Sequence, residues 1–336
     1  MTTFVRTADP VDEDEPRKIV ANPPVSDRIF EHGSRVIGFA VLIITGSIGV
    51  FLALQSIPTL REYGFGFFTQ SQWNPDRHIV GIASVLLGTL TVALVALFFA
   101  FPMAFGSALY ISEYAPPKLK SLLVSMVDLM AAVPSIVYGL WGFFLIQPAA
   151  IYVARWINAY FGWMPWFHVQ GDAHAAIWQE SNYVGSAFIA GIAVAMMVIP
   201  MGCAVMREVF SHAPVGEREA AYALGATRWG MVRAVVLPFG RGGIIGGTML
   251  SLGRALGETI AVVLIISPAF DLKFRPLEVG TITVSSLIAG RVTDAGPTQL
   301  SALLTAGFVL FLITLFVNTA AATIVSRGRS GAGTDI

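Results

Sequence analysis

Charge is what this sequence has least of. Asp, Glu, Lys and Arg make up 12% of its 336 residues, while 55% are hydrophobic. A soluble globular chain carries about a quarter charged residues, and a soluble fold this apolar would expose large adhesive patches. The length would allow two or three soluble domains, but long apolar runs occupy it instead. The formal net charge is zero, so no basic field directs the chain to nucleic acid. Cysteine is almost absent: Cys203 stands alone in an apolar run, which excludes an intrachain disulfide and reads as a small core residue. The phosphate loop Gly-x-x-x-x-Gly-Lys-Ser/Thr is missing, so the chain has no nucleotide cradle of that kind. The first residues also lack the charged, apolar, small-residue order of a signal peptide.

What is present is a series of apolar runs, each of the roughly 20 residues a bilayer core demands of a helix. They fall at Val36–Ile57, Ile79–Met103, Leu122–Ile146, Val184–Met206, Gly243–Ile266 and Leu300–Val325. The fold expected is therefore an all-α membrane protein with about six transmembrane helices. Residues 1–34 are charged and Pro-broken, and read as a disordered cytoplasmic tail. Within that tail, Ser26–Ser34 has the composition of a short helix lying on the membrane. The membrane-spanning body then covers 35–325, and 326–336 form a short cytoplasmic tail.

Lys and Arg set the orientation, because cytoplasmic loops carry their excess. With both termini inside, fourteen of the 21 fall in inner segments and six in outer loops, leaving Arg254 within a span. An outer stretch between the third and fourth runs gathers Trp156, Tyr160, Trp163, Trp166, Phe167 and Trp178, rings suited to the headgroup level. His168 and His174 lie in the same stretch, too few and too far apart for a metal site, and read as solvated. Val279–Gly290 is apolar but too short to span. It has the character of a re-entrant segment, tolerable where protein or water surrounds it.

The longest inner loop, residues 207–241, predicts two helices. Glu217 and Glu219 follow Pro214 in the first turn of one, which Gly225 stops or bends. The second is the amphipathic stretch Trp229–Val236, ending before Pro238. Composition alone allows either a docking surface or a connector resting on headgroups. Spacing adds more. Glu219-Ala220-Ala221, Gly225 four residues on, then Val235 and Leu237-Pro238 resemble the E-A-A-x3-G-x9-I-x-L-P coupling loop of ABC-importer permeases, with Val for Ile. Ala132-Val133-Pro134-Ser135-Ile136-Val137-Tyr138-Gly139 and Gly253-Arg254-Ala255-Leu256-Gly257-Glu258-Thr259 are similar to signatures of phosphate-importer permeases, on the side of the first, PstC-type subunit.

That resemblance implies a type I ABC-importer (MetI-like) permease fold, with Glu219, Ala220, Ala221, Gly225, Leu237 and Pro238 coupling to a cytoplasmic ATPase. It implies no catalytic residue, no metal and no cofactor in this chain, ATP and magnesium belonging to the partner ATPase. The implied partners are a second homologous permease (PstA type), two ATPase copies (PstB type), an external phosphate-binding protein (PstS type), inorganic phosphate and membrane lipid. Sulfate and molybdate permeases of the same fold, and more remotely a channel or membrane enzyme, are the alternatives.

An arginine inside a span is costly and usually faces a bundle interior or water. On a continuous helix Arg254 and Glu258, four apart, share a face with Gly243, Gly247 and Leu250. This face is the candidate substrate path, against the alternative of a buried ion pair joining two helices. Asp128, in the third run, reads either as part of the path or as an interfacial carboxylate. Pro134, beside Ser135, is expected to kink that helix mid-span. The orientation is open to direct test: a cysteine placed at Gly171 should react with an impermeant maleimide in intact cells. One at Gly230 should react only after permeabilisation, and labelling of Gly230 in intact cells would reverse the topology.

Overall fold

The computed structural model describes residues 25–175 and 177–328. The expected tails at 1–24 and 329–336 lie outside the described residues. Thirteen α-helices lie among the described residues: α1 (Val25–Tyr63), α2 (Gly66–Thr69), α3 (Ala83–Leu109), α4 (Pro117–Ala132), α5 (Ser135–Trp141), α6 (Gln147–Phe161), α7 (Ala187–Ser211), α8 (Val215–Ala223), α9 (Arg228–Met231), α10 (Leu237–Gly257), α11 (Ile260–Ile265), α12 (Val284–Arg291) and α13 (Pro297–Gly328). One small hairpin pairs β1 (Trp73–Asn74) with β2 (Ile79–Val80), Trp73 opposite Val80.

Among the described residues, six stretches are long and apolar enough to cross a bilayer: Val25–Tyr63, Ala83–Tyr114, Ser135–Phe161, Ala187–Ser211, Arg228–Gly257 and Pro297–Val325. The number agrees with the sequence reading, and three boundaries do not. Helix α1 begins at Val25, so the stretch Ser26–Ser34, expected as a separate short helix within a disordered tail, is helical and continuous with the first span. The third span is Ser135–Phe161, and α4 is a separate helix before it. Trp156 and Tyr160 therefore sit on α6 and not in a loop. The fifth span starts at Arg228 and stops at Gly257. The chain also divides into two compact units, residues 1–50 and 51–336, and everything below concerns the second.

Small residues organise this second unit. On α3, Ala96, Ala100, Ala104 and Ala108 recur every fourth position and are all buried. On α10, Gly243, Gly247, Ser251 and Ala255 form the same kind of row. Helix α7 packs against both. A side chain at Gly243 would collide with Val209, and one at Gly247 would press on the Gly202 carbonyl at 3.1 Å. In a bilayer, where lipid tails are as apolar as leucine, such rows let backbones approach and gain dispersion contacts.

Widened helical turns with i→i+5 hydrogen bonds occur at Tyr110–Tyr114, Gly142–Ile146 and Val232–Val236. Each ends two residues before a proline: Pro116, Pro148 and Pro238. A proline has no N–H for the carbonyl four residues back and its ring crowds that carbonyl. The wider turn makes room for it. This is why the amphipathic stretch expected to end before Pro238 runs on, from Arg228 through Gly257.

Two of the apolar runs read from sequence, Leu122–Ile146 and Gly243–Ile266, are broken outright. After α4, Val133 and Pro134 are extended, a full interruption where sequence predicted a kink. After α10, Glu258 is extended and α11 starts two residues later. Helices α5 and α11 meet at Gly139, where a Cβ would lie 2.8 Å from the Ala261 Cα. Between α11 and α12, residues 277–287 are buried apart from partly exposed Val279, with Val284 N–H donating to Thr89 Oγ1 at 3.0 Å. The apolar segment Val279–Gly290 is thus enclosed mainly by protein and ends in α12. Contact at Gly139 leaves no room for a side chain, so Gly139→Val should destabilise the solubilised chain by about 1–3 kcal/mol. Gly106→Ala, which enters open space on α3, should leave the melting temperature unchanged, and equal melting temperatures for both would refute the close approach.

Candidate functional site

The two breaks lie side by side, and each satisfies its own loose backbone groups. At the first, Tyr138, itself buried, donates its hydroxyl to the Met130 carbonyl at 2.7 Å across the Val133–Pro134 gap. Pro134 is exposed and Ser135, partly exposed, opens α5. At the second, the Glu258 carboxylate accepts from the Ala261 N–H at 3.3 Å, and the Glu258 carbonyl accepts from Ser285 Oγ at 3.0 Å. At the second break these contacts replace bonds that a continuous helix would have made; at the first, Pro134 has no N–H to offer the Met130 carbonyl, and the Tyr138 hydroxyl supplies a donor beside that of Val133 N–H.

This geometry separates Arg254 from Glu258. Four residues apart on an unbroken helix they would be neighbours, but α10 ends at Gly257 and the Glu258 side chain turns to cap α11. Glu258 is buried, Arg254 is exposed, and Arg254 has no acidic partner among the described residues. The ion pair weighed as the alternative is therefore absent among the described residues, and the expectation of a face shared by Arg254 and Glu258 is corrected, because the helix stops between them. The glycine row also departs from Arg254. An every-fourth-residue row is inclined to the helix axis, so Gly243, Gly247, Ser251 and Ala255 wind onto α7, while Leu250 and Arg254 stay on the open side. Arg254 stands three residues before the end of α10 at Gly257, and so just before the second break.

Asp128 lies on α4, more than half exposed, 3.7 Å from Arg207 Nη2 near the end of α7. It is paired within its own chain, to Arg207.

The coupling-loop residues divide into a surface and a scaffold. Glu219 and Ala220 are exposed on α8, and Glu219 makes no hydrogen bond or ion pair among the described residues. Val215, Leu224 and Trp229 are exposed beside them, an apolar patch with carboxylates at its edge. Ala221 is buried beneath. Gly225 takes φ +80°, in the left-handed region that side chains disfavour. There Ala226 N–H bonds to the Ala221 carbonyl at 3.0 Å and Gly225 N–H to that of Tyr222 at 2.9 Å, the Schellman closure of a helix. Leu237 and Pro238 are not on this surface: they form the first turn of α10, where Leu237 packs on the core beneath the loop.

Sequence reasoning missed what seats α8. Glu113, in the widened turn after α3, has a side chain 3% exposed. Its Oε2 accepts from Arg218 Nη1 at 3.1 Å, Oε1 accepts from Ser112 Oγ at 2.7 Å, and Arg218 Nη2 donates to the Phe210 carbonyl at 2.6 Å. The neighbouring Tyr114 ring carries the Arg228 guanidinium 5.1 Å from its centroid. Two successive residues after α3 thus hold both halves of the loop. The only hint in the sequence was an acidic residue at the apolar end of the second span.

The family described as binding-protein-dependent transport system inner membrane component matches residues 100–330. The phosphate transport system permease protein PstC 2 of Mycobacterium tuberculosis is 38% identical, across 91% of this chain and 93% of that protein. PstC of Mycobacterium leprae is 39% identical across 90% and 94% respectively. Among solved structures, a bacterial alginate ABC transporter, in complex with an alginate-bound periplasmic protein, superposes with a TM-score of 0.56. It covers 90% of this chain and 95% of its own at 18% identity, a likeness of fold. The chain is a multi-pass inner membrane protein and belongs to the binding-protein-dependent transport system inner membrane component family, on the branch of the phosphate transport system permease proteins PstC.

Proposed function

We propose that this chain is the permease subunit of an ATP-driven phosphate importer and supplies half of its translocation path. The observation that carries this reading is Arg254: an exposed guanidinium without an acidic partner among the described residues, at the helix break that ends the fifth span of a PstC-branch chain. A guanidinium stays protonated and holds two oxyanion oxygens through parallel hydrogen bonds. Phosphate near neutral pH carries between one and two negative charges, and moving such a charge through hydrocarbon unaided costs many kcal/mol. Being unpaired, Arg254 offers this compensation without first breaking an ion pair. Being exposed, it holds the anion weakly enough for release. Glu258 has a separate part: by capping α11 it keeps the second break open and Arg254 at its mouth.

An exposed face along α4 and the end of α10 calls for a second permease of similar fold to close the path. The α8 surface, apolar with a free Glu219, suits docking on a cytoplasmic ATPase, which would hold ATP and magnesium. An extracytoplasmic phosphate-binding protein would deliver the anion at the opposite side. The specific set is a PstA-type permease, two PstB-type ATPases and a PstS-type binding protein, with both termini of this chain cytoplasmic.

Uptake of labelled phosphate, sulfate and molybdate by a strain lacking the chain, with and without its gene restored, tests the reading. Phosphate uptake alone should return; restoration of sulfate or molybdate uptake in its place would refute it. Arg254→Gln should lower phosphate uptake about tenfold or more, the scale of a lost charge-assisted hydrogen bond, with complex assembly intact. Gly225→Asp imposes a left-handed angle costing on the order of 1–3 kcal/mol. The ATPase should then fail to co-purify while the membrane domain stays folded, and an intact, transporting complex would remove α8 from the docking role.

A further inference from the structure

Helix α4 is lightly seated. None of its residues is buried, and Leu123, Val124 and Val127 are its partly buried apolar residues packed on the core beneath the coupling loop. Three polar ties hold it. Near its start, Lys120 Nζ donates to the Ser112 carbonyl at 3.4 Å. Near its end, the Met130 carbonyl accepts from Tyr138. Between them, Asp128 faces Arg207 of α7.

The middle tie is built unlike a static one. The Arg207 side chain is 14% exposed and that of Asp128 57%. Their 3.7 Å separation exceeds the roughly 2.7–2.9 Å of a charge-assisted hydrogen bond. Arg207 Nη1 is buried and has no hydrogen-bond partner. A guanidinium so placed is under-satisfied, and a buried charge with one loose partner adds little to stability. A small displacement of α4 along α7 either closes the pair into a hydrogen bond or opens it.

Its position matters more than its strength. Arg207 stands three residues before Phe210, whose carbonyl takes Arg218 of α8. Asp128 stands two residues before Met130, whose carbonyl takes Tyr138 across the first break. One pair of side chains therefore separates the docking helix from the first break.

Resting on the importer reading above, we infer that Asp128 and Arg207 form a breakable latch by which the position of α8 sets the α4–α5 break. Both are positioning residues and neither touches the anion. The latch makes hydrolysis productive: without it, α8 still moves with the ATPase while the break no longer follows.

The experiment uses the full four-component complex in proteoliposomes with its binding protein, and reads ATP hydrolysed per phosphate taken up. Asp128→Asn and Arg207→Gln should each keep hydrolysis but raise that ratio about fivefold, the scale of losing one partly exposed pair. The exchange Asp128→Arg with Arg207→Asp should bring the ratio back toward wild type, and Asp128→Glu should hold it there. A wild-type ratio in the single variants overturns the latch. So does an exchange no better than the single variants. Uptake and hydrolysis that fall together, with loss of assembled complex on size exclusion, assign the pair to stability and overturn it as well. If the wild-type complex moves another anion and no phosphate, the substrate reading fails, and the same ratio measured with that anion still decides the latch.

Discussion

The close approach of α7 to α3 on one side and α10 on the other is the contact on which the rest of this membrane domain depends. Water supplies no hydrophobic drive between helices in lipid, so their association rests on how near the backbones come. The alanine row of α3 and the glycine-containing row of α10 let them come near. From that seat α7 presents Arg207 and the Phe210 carbonyl at one end, and α8 follows after three residues. The docking helix is therefore carried by the most tightly packed helix of the unit, and its movements cannot be absorbed by soft packing.

The breaks show the opposite economy. Each gives up helix continuity, yet Tyr138, Ser285 and the Glu258 carboxylate take the backbone groups released there. A buried acidic residue serving as a helix cap at the end of a span is unusual, because its cost is offset only where the cap replaces an unpaired donor. Glu258 meets that condition through Ala261 N–H, and it leaves Arg254 without a counter-ion. The apparent ion pair of the sequence is in the structure a division of labour.

Much of this was legible in the residues and some was not, for physical reasons. Apolar runs announce spans because hydrocarbon tolerates little else, so the six were found. Their ends were misjudged where a broken helix and a following one share the same hydropathy, as at Val133–Pro134. Spacing carried Gly225, whose turn needs an angle only glycine adopts freely. It misled at Arg254 and Glu258, since four-residue spacing implies contact only on an unbroken helix. Glu113 and Arg218, 105 residues apart, meet through tertiary folding, and no local pattern announces that.

The three widened turns have a consequence for every face beyond them. Each inserts one residue without advancing the helix by a full α-helical step, so the helix that follows is re-phased by about 100° relative to an uninterrupted one. The turn at Val232–Val236 stands upstream of the whole of α10. It therefore fixes the azimuth at which the glycine row finds α7 and Arg254 finds the open side. Proline, by requiring that turn, acts on a guanidinium sixteen residues away as a keyway acts on a shaft: it sets orientation without touching what is oriented.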